Sequence, residues 1–324
     1  MFELFRKNFF INTILLIPYA VVLRIHTFIW PDRYYYSYEG NNVLLEWIYA
    51  QVGSPLVQSI VATILIIGQA VYINRIYIRN RLPNEYTLFP GALFILFVSS
   101  NEYLVQLSPE IMGLTFVIIM ISQMFKTYKN QKGSVHIFNT GFYACLAFLL
   151  NPGLVWVLLY GYIGLMILRS FKSNEQLQYL CGILTPIFLS VSVLYYIQAD
   201  VWTLTKDFID GFGLMDFGTI LSVTQYVFLG LMGLLFIVVF FSYNLYTIRK
   251  TIQVQKKIDL FYWLSLISLL ATVFTDHVSY SGLLLLIISI CILCAMNLTW
   301  VKNRIYTEML HLLWVAVIIY TFYI

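Results

Sequence analysis

Carboxylates set beside a membrane surface can hold a divalent cation or act as a general base, because burial raises their pKa while a metal or an arginine lowers it. The sequence places several where apolar segments end: Asp32 and Glu39 in Pro-Asp-Arg-Tyr-Tyr-Tyr-Ser-Tyr-Glu-Gly, Glu110 in Ser-Pro-Glu, and Asp276 beside His277. Asp32 and Glu39 are the candidate catalytic acids, suited to deprotonating an acceptor hydroxyl. Glu110, Asp276 and His277 are candidates to support them or to ligate the cation. Arg24 and Arg33 carry planar forks of donors that match phosphate oxygens, which makes them candidates for a lipid phosphate. Each residue also has a plainer reading. Asp32 can be a turn residue paired with Arg33, and Glu39 a solvated acid in a turn. Ser108-Pro109-Glu110 reads as N-cap, first-turn proline and an acid favoured by the helix dipole. Asp276-His277 can be interfacial decoration. Arg24, near His26 and the outer end of the first apolar segment, is read first as snorkelling to the headgroups.

The elements that must position these residues are membrane helices. Of the 324 residues, 60% are hydrophobic, 18% aromatic and 10% charged, against about 25% charged in an ordinary globular chain. That composition excludes a water-soluble fold and leaves one integral-membrane domain over 1–324, an all-α polytopic helix bundle. A bilayer core of about 30 Å takes about 20 apolar residues per crossing. On that measure about eleven spans are expected: Phe9 to Trp30, Pro55 to Asn74, Tyr86 to Ser100, Pro109 to Phe125, Val135 to Leu150, Gly153 to Leu168, Leu177 to Tyr196, Leu221 to Tyr243, Leu260 to Thr275, Ser281 to Trp300 and Met309 to Ile324. The short Tyr86 to Ser100 segment, and the pair around Asn151-Pro152-Gly153, could instead be re-entrant.

Charge gives an independent test, since cytoplasmic loops collect Lys and Arg. Sixteen of the 19 basic residues fall in alternate loops with the N-terminus, leaving Arg24, Arg33 and Lys206 on the other side. This predicts a cytoplasmic N-terminus in a bacterial inner membrane and an external C-terminus. Ten of the 15 acids sort to the external face. Two longer external loops, Pro31 to Ser54 and Gln198 to Ile220, look interfacial, and the first ends in an amphipathic piece with Val43, Leu44 and Trp47 on one side. MFELFRKN leads into an apolar run with no small-residue cleavage site, so the first helix is expected to stay as an anchor. The net charge of +4 reflects sidedness, and nucleic acid is not expected as a partner. Cys145, Cys181, Cys291 and Cys294 all lie in apolar runs and read as packing residues.

The sequence has no phosphate-cradling loop, zincin helix or nucleophile elbow. The order of its features is informative: a short cytoplasmic start, one span, an acid-bearing external loop with an interfacial helix, then closely spaced spans. This order, with the stretch LFPGALFILFVSSNEYLVQLSPEIMGLTFVIIMISQMF, resembles integral-membrane glycosyltransferases that use polyprenyl-phosphate sugars. The resemblance covers the first half and implies an external acid as base or metal ligand, where Asp32 or Glu39 stands, and a second in the next external loop, where Glu102 or Glu110 stands. Over the whole length, the Asn-Pro-Gly hinge and the Arg169 to Lys172 stretch resemble a group of multispanning inner-membrane proteins common in Bacteroidota, which implies a setting and no activity. The expectation is therefore a membrane enzyme, or an enzyme-derived protein, of envelope glycan or lipid metabolism, with membrane lipid as partner. The alternative is a non-catalytic subunit or scaffold with a membrane-protein partner. A transporter comes third, because the spans show few ionisable groups in their interiors.

Overall fold

The computed structural model describes residues 2–6, 10–38, 40, 42–83, 85–130, 133–169, 172–198, 222–248, 250–274, 280–300 and 304–323. All regular structure among them is helical. The first rod is broken into α1 (Phe10–Ile14), α2 (Leu16–Leu23) and α3 (Ile25–Ile29), followed by a 3-10 turn at Pro31–Tyr34. Then come α4 (Val43–Gln51), α5 (Pro55–Arg79), α6 (Phe89–Val98), α7 (Glu102–Val105), α8 (Pro109–Phe125), α9 (Ser134–Leu150), α10 (Trp156–Leu168) and α11 (Ser173–Tyr196). The chain continues with α12 (Val223–Phe241), α13 (Tyr243–Thr247), α14 (Ile252–Val273), α15 (Tyr280–Trp300) and α16 (Arg304–Tyr323).

Every apolar segment expected to span carries a helix. Among the described residues, five helical stretches are long and apolar enough to cross a membrane: Pro55–Arg79, Ser173–Tyr196, Val223–Phe241, Tyr280–Trp300 and Ile305–Phe322. Differences from expectation are local. α14 starts at Ile252 rather than Leu260, because Val254 and Ile258 turn inward among the polar residues of its first turns. α6 is only ten residues long and wholly buried. At about 1.5 Å per residue it reaches about half a bilayer, a length tolerated where protein encloses the freed backbone groups.

α15 is the axis of the bundle. It is apolar all round, 94% of its most apolar stretch is buried, and it packs against α14, α6, α12 and α8. That is the pattern of a central helix. The corresponding stretches of α11 and α12 are each only 22% buried, as expected of helices facing outward. α11 nevertheless approaches α9 at backbone distance: a methyl on Gly182 would collide with the carbonyl of Phe138, and one on Gly141 with that of Tyr179. Paired small residues of this kind let membrane helices interlock by van der Waals contact.

α5 fastens its neighbours through polar side chains on its buried face. Its start is set by Ser54, which accepts from the Val57 N–H at 3.3 Å, and by Pro55 in the first turn. Gln58 exchanges two hydrogen bonds with the Tyr36 backbone, at 3.0 and 3.2 Å. Gln69 donates to the Ile111 carbonyl at 2.7 Å, and Asn74 accepts from the Gly91 N–H at 2.8 Å. Between these, Thr63 meets Arg24.

Candidate functional site

Contacts gather the connecting segments into two ends. At one end, the 3-10 turn at Pro31–Tyr34 lies against α5, Tyr49 of α4 donates to the Leu107 carbonyl at 2.6 Å, and Asn42 donates to the Leu149 carbonyl at 2.8 Å. Tyr103 stacks on Tyr280 with centroids 4.5 Å apart, and Gln225 donates to the Tyr280 hydroxyl at 3.3 Å. At the other end, Leu88 N–H donates to the Phe5 carbonyl, Lys257 reaches Asn80, and Arg169 closes the turn after α8. Described acids of the first end are Asp32, Glu46, Glu102 and Glu110; its described cations are Arg24 and Arg33.

Arg24 is the structural surprise of that acidic end. The snorkelling reading is corrected: the side chain is 0% exposed. The rod breaks at this residue, whose φ of −106° and ψ of 15° interrupt the helix, so the guanidinium turns into the bundle instead of running along the rod to the surface. Nε donates to Thr63 Oγ1 at 3.1 Å and Nη2 to the Val105 carbonyl at 2.5 Å. Arg24 makes no ion pair among the described residues, and its Nη1 has no hydrogen-bond partner there. A buried cation answered only by neutral dipoles is costly, and inside a membrane bundle such residues are usually kept for function. His26, two residues on, is enclosed by Phe322, stacked at 3.8 Å, and by the edge of Tyr34 at 5.3 Å.

Around it the other candidates divide. Asp32 is exposed, on the 3-10 turn. Arg33 pairs with Glu102 at 3.6 Å rather than with Asp32, and lies over the Tyr34 ring. Glu110 sits in the first turn of α8, half-buried, as the helix-start reading expects, although the Ser108 side chain makes no capping bond. Tyr49 lies close enough to feel Glu110: burial, then Tyr36 and the Glu110 charge, hold its hydroxyl above the usual phenol range, so it remains a donor. Glu39, Asp276 and His277 lie outside the described residues. Among those described, no three His, Cys, Asp or Glu side chains gather as a metal site.

Sequence reasoning missed the partners of Arg24. Thr63 carried a readable signal, since Gln58, Thr63, Gln69 and Asn74 are polar interruptions in an otherwise apolar helix and all fall on its buried face. The Val105 carbonyl carried none. Buried lysine was also missed: Lys257 is 4% exposed, donates to Asn80 Oδ1 at 2.7 Å and lies over the Phe125 ring. The bundle is less dry than the sequence implied. Cys291 and Cys294 are buried in α15, and the Cys291 thiol lies 3.1 Å from the Ile288 carbonyl.

The class these features define is an all-helical protein with helices able to cross a membrane. No protein-family model, curated protein or solved structure matches the chain.

Proposed function

We propose that the protein is a bacterial inner-membrane enzyme, or one derived from such an enzyme, of envelope glycan or lipid metabolism that engages a lipid-borne phosphate at its acidic end. In this reading eleven segments cross the bilayer, α6 completing its passage with the buried non-helical residues on either side of it, with the N-terminus cytoplasmic, the C-terminus outside, and α4 lying at the outer interface on exposed Leu44 and Trp47. The two-ended grouping of contacts supports that layout. The observation that carries the functional reading is Arg24: enclosed, without an ion pair among the described residues, and with one donor nitrogen unused behind the turn that bears Asp32.

The proposed chemistry follows the resemblance to transferases of polyprenyl-phosphate sugars. Asp32, with Glu39, takes the proton of an acceptor hydroxyl as that oxygen bonds to the anomeric carbon. The bond from that carbon to the phosphate oxygen breaks, and the leaving lipid phosphate keeps the electron pair. Arg24, and Arg33 when released from Glu102, stabilise the charge on the departing phosphate.

Two variants test this in the full-length protein. Arg24→Met should lose a co-purifying phosphate-bearing lipid, read by native mass spectrometry. The Asp32→Asn, Glu39→Gln double variant should keep that lipid but block turnover, seen as accumulation of the lipid-linked sugar in cells. Unchanged turnover in the double variant would sink the mechanism.

A second reading has its own observation. α11 and α12 present broad apolar faces, with Phe188 71% and Phe241 82% exposed, enough for a partner's helices as well as lipid. A non-catalytic subunit would keep a membrane-protein partner through mild-detergent purification and would tolerate the loss of Asp32 and Glu39.

A further inference from the structure

At the end opposite Arg24, α5 and α8 finish side by side and leave a small cleft of about 90 Å³ between them. Tyr72, Arg75 and Arg79 of α5 and Asn80 just beyond it line the cleft, with Ser122 of α8 and Lys126 just beyond that helix. The spacing explains the convergence: 72, 75 and 79 lie three and four apart on one helix face, as 122 and 126 do on the other. Three cations line the cleft and no carboxylate does. A fourth stands behind it, because Lys257 donates to Asn80 Oδ1 while Asn80 Nδ2 donates to the Ile76 carbonyl at 2.8 Å. Those two bonds fix the amide at the wall of the cleft.

Cations are common at such helix ends, where they offset the macrodipole or mark a cytoplasmic side. Some of the neighbours are taken up by the protein itself. Arg169 donates to the carbonyls of Thr127 and Asn130 and pairs with Glu175. Lys256 donates to the Ile167 carbonyl at 2.7 Å. Arg75 and Arg79 differ: they are exposed, and among the described residues neither side chain makes a hydrogen bond or an ion pair. Both line the shared cleft.

We propose that this cleft binds a phosphate-bearing group, and that its source is the headgroup of an anionic phospholipid. Size points away from a whole small molecule, whose pockets run to about 300–1,000 Å³, and towards one phosphate with the remainder of the ligand outside. The surface of α5 shows where that remainder goes. Ile60, Ile64, Gly68, Val71, Arg75 and Arg79 succeed one another at intervals of three and four residues, all exposed, forming one stripe that turns from apolar to cationic. A side chain at Gly68 would meet only open space, so the stripe dips there. An acyl chain can lie along this track while its phosphate sits between Arg75, Arg79 and Lys126. Basic pockets between helices at a membrane face are suited to such headgroups. The site is separate from Arg24, about 18 Å along α5 from Thr63 to Arg75, and does not depend on the function proposed for it.

The test uses the full-length protein in mild detergent, with phosphatidylglycerol, phosphatidylcholine and inorganic phosphate as probes and native mass spectrometry as readout. Phosphatidylglycerol should be retained in preference to phosphatidylcholine. Replacing both arginines, Arg75→Gln with Arg79→Gln, should weaken that retention about thirtyfold. Ser122→Asp, which keeps every cation and places a carboxylate in the cleft, should weaken it too. Lys129→Gln with Lys172→Gln removes the same charge from the same end outside the cleft and should change retention by less than about threefold. Arginine-dependent retention that resists millimolar phosphate supports the lipid source. Displacement by phosphate alone overturns that source and leaves a free-phosphate site. Equal retention in the wild type and the double arginine variant, or equal loss in the lysine control, overturns the site.

Discussion

Arg24 and Arg169 are both withdrawn from solvent, at opposite ends of the bundle, and are treated in opposite ways. Arg169 pairs with Glu175 and donates to two backbone carbonyls, closing the turn after α8 onto the start of α11. Arg24 has a hydroxyl and one carbonyl, no ion pair among the described residues, and an Nη1 without a partner there. Each arginine has one buried nitrogen without a hydrogen-bond partner among the described residues, Nε in Arg169 and Nη1 in Arg24, so the difference is one of charge. The first cation is neutralised by a carboxylate of the fold, and the second is held by neutral groups alone, which is the condition for binding an anion.

That contrast can be broken by measuring stability at each residue. Arg169→Met strands the Glu175 carboxylate and should destabilise the purified protein by about 3 kcal/mol in a reversible denaturant titration. Gly182→Ala pushes α11 away from α9, disturbing the platform of Glu175 without touching the ion pair. It should cost about 2 kcal/mol by the same measurement and leave lipid retention at the acidic end intact. Arg24→Met removes two hydrogen bonds together with the desolvation of a charge, so stability should stay within about 1 kcal/mol of wild type while the bound phosphate lipid is lost. A collapse equal to that of Arg169→Met would make Arg24 structural and erase the contrast. The smallest effect is expected from Glu102→Gln, where the pair with Arg33 is partly solvated. Less than about 1 kcal/mol should be lost in thermal unfolding, and the released Arg33 should tighten lipid binding.

Much of the fold was legible because hydropathy and charge are local properties. The eleven apolar segments each carry a helix, and among the described basic residues Arg75, Arg79, Lys126 and Lys257 lie together at one end. The first half of α14 was not legible, since Lys256, Lys257 and Asp259 lower the hydropathy of turns whose Val254 and Ile258 are buried. The direction of Arg24 was not legible either. Its partners lie 39 and 81 residues away, and a helix break at the arginine itself decides whether the side chain runs outward along the rod or turns into the bundle. Asp32, singled out for its place after the first span, is where a surface acid should be. Its proposed companion Glu39, like Asp276 and His277, falls outside the described residues. The polar face of α5 was readable in principle: once Gln58, Thr63, Gln69 and Asn74 are seen to share one side, that side must meet polar partners within an apolar bundle.

If Arg24 keeps a donor for a lipid phosphate, a density map of the natively purified full-length protein will show a phosphate oxygen about 3 Å from Arg24 Nη1, with acyl density leading away into the bilayer. A map in which Nη1 instead donates to a carbonyl or carboxylate of this chain, with no lipid phosphate beside it, would contradict it.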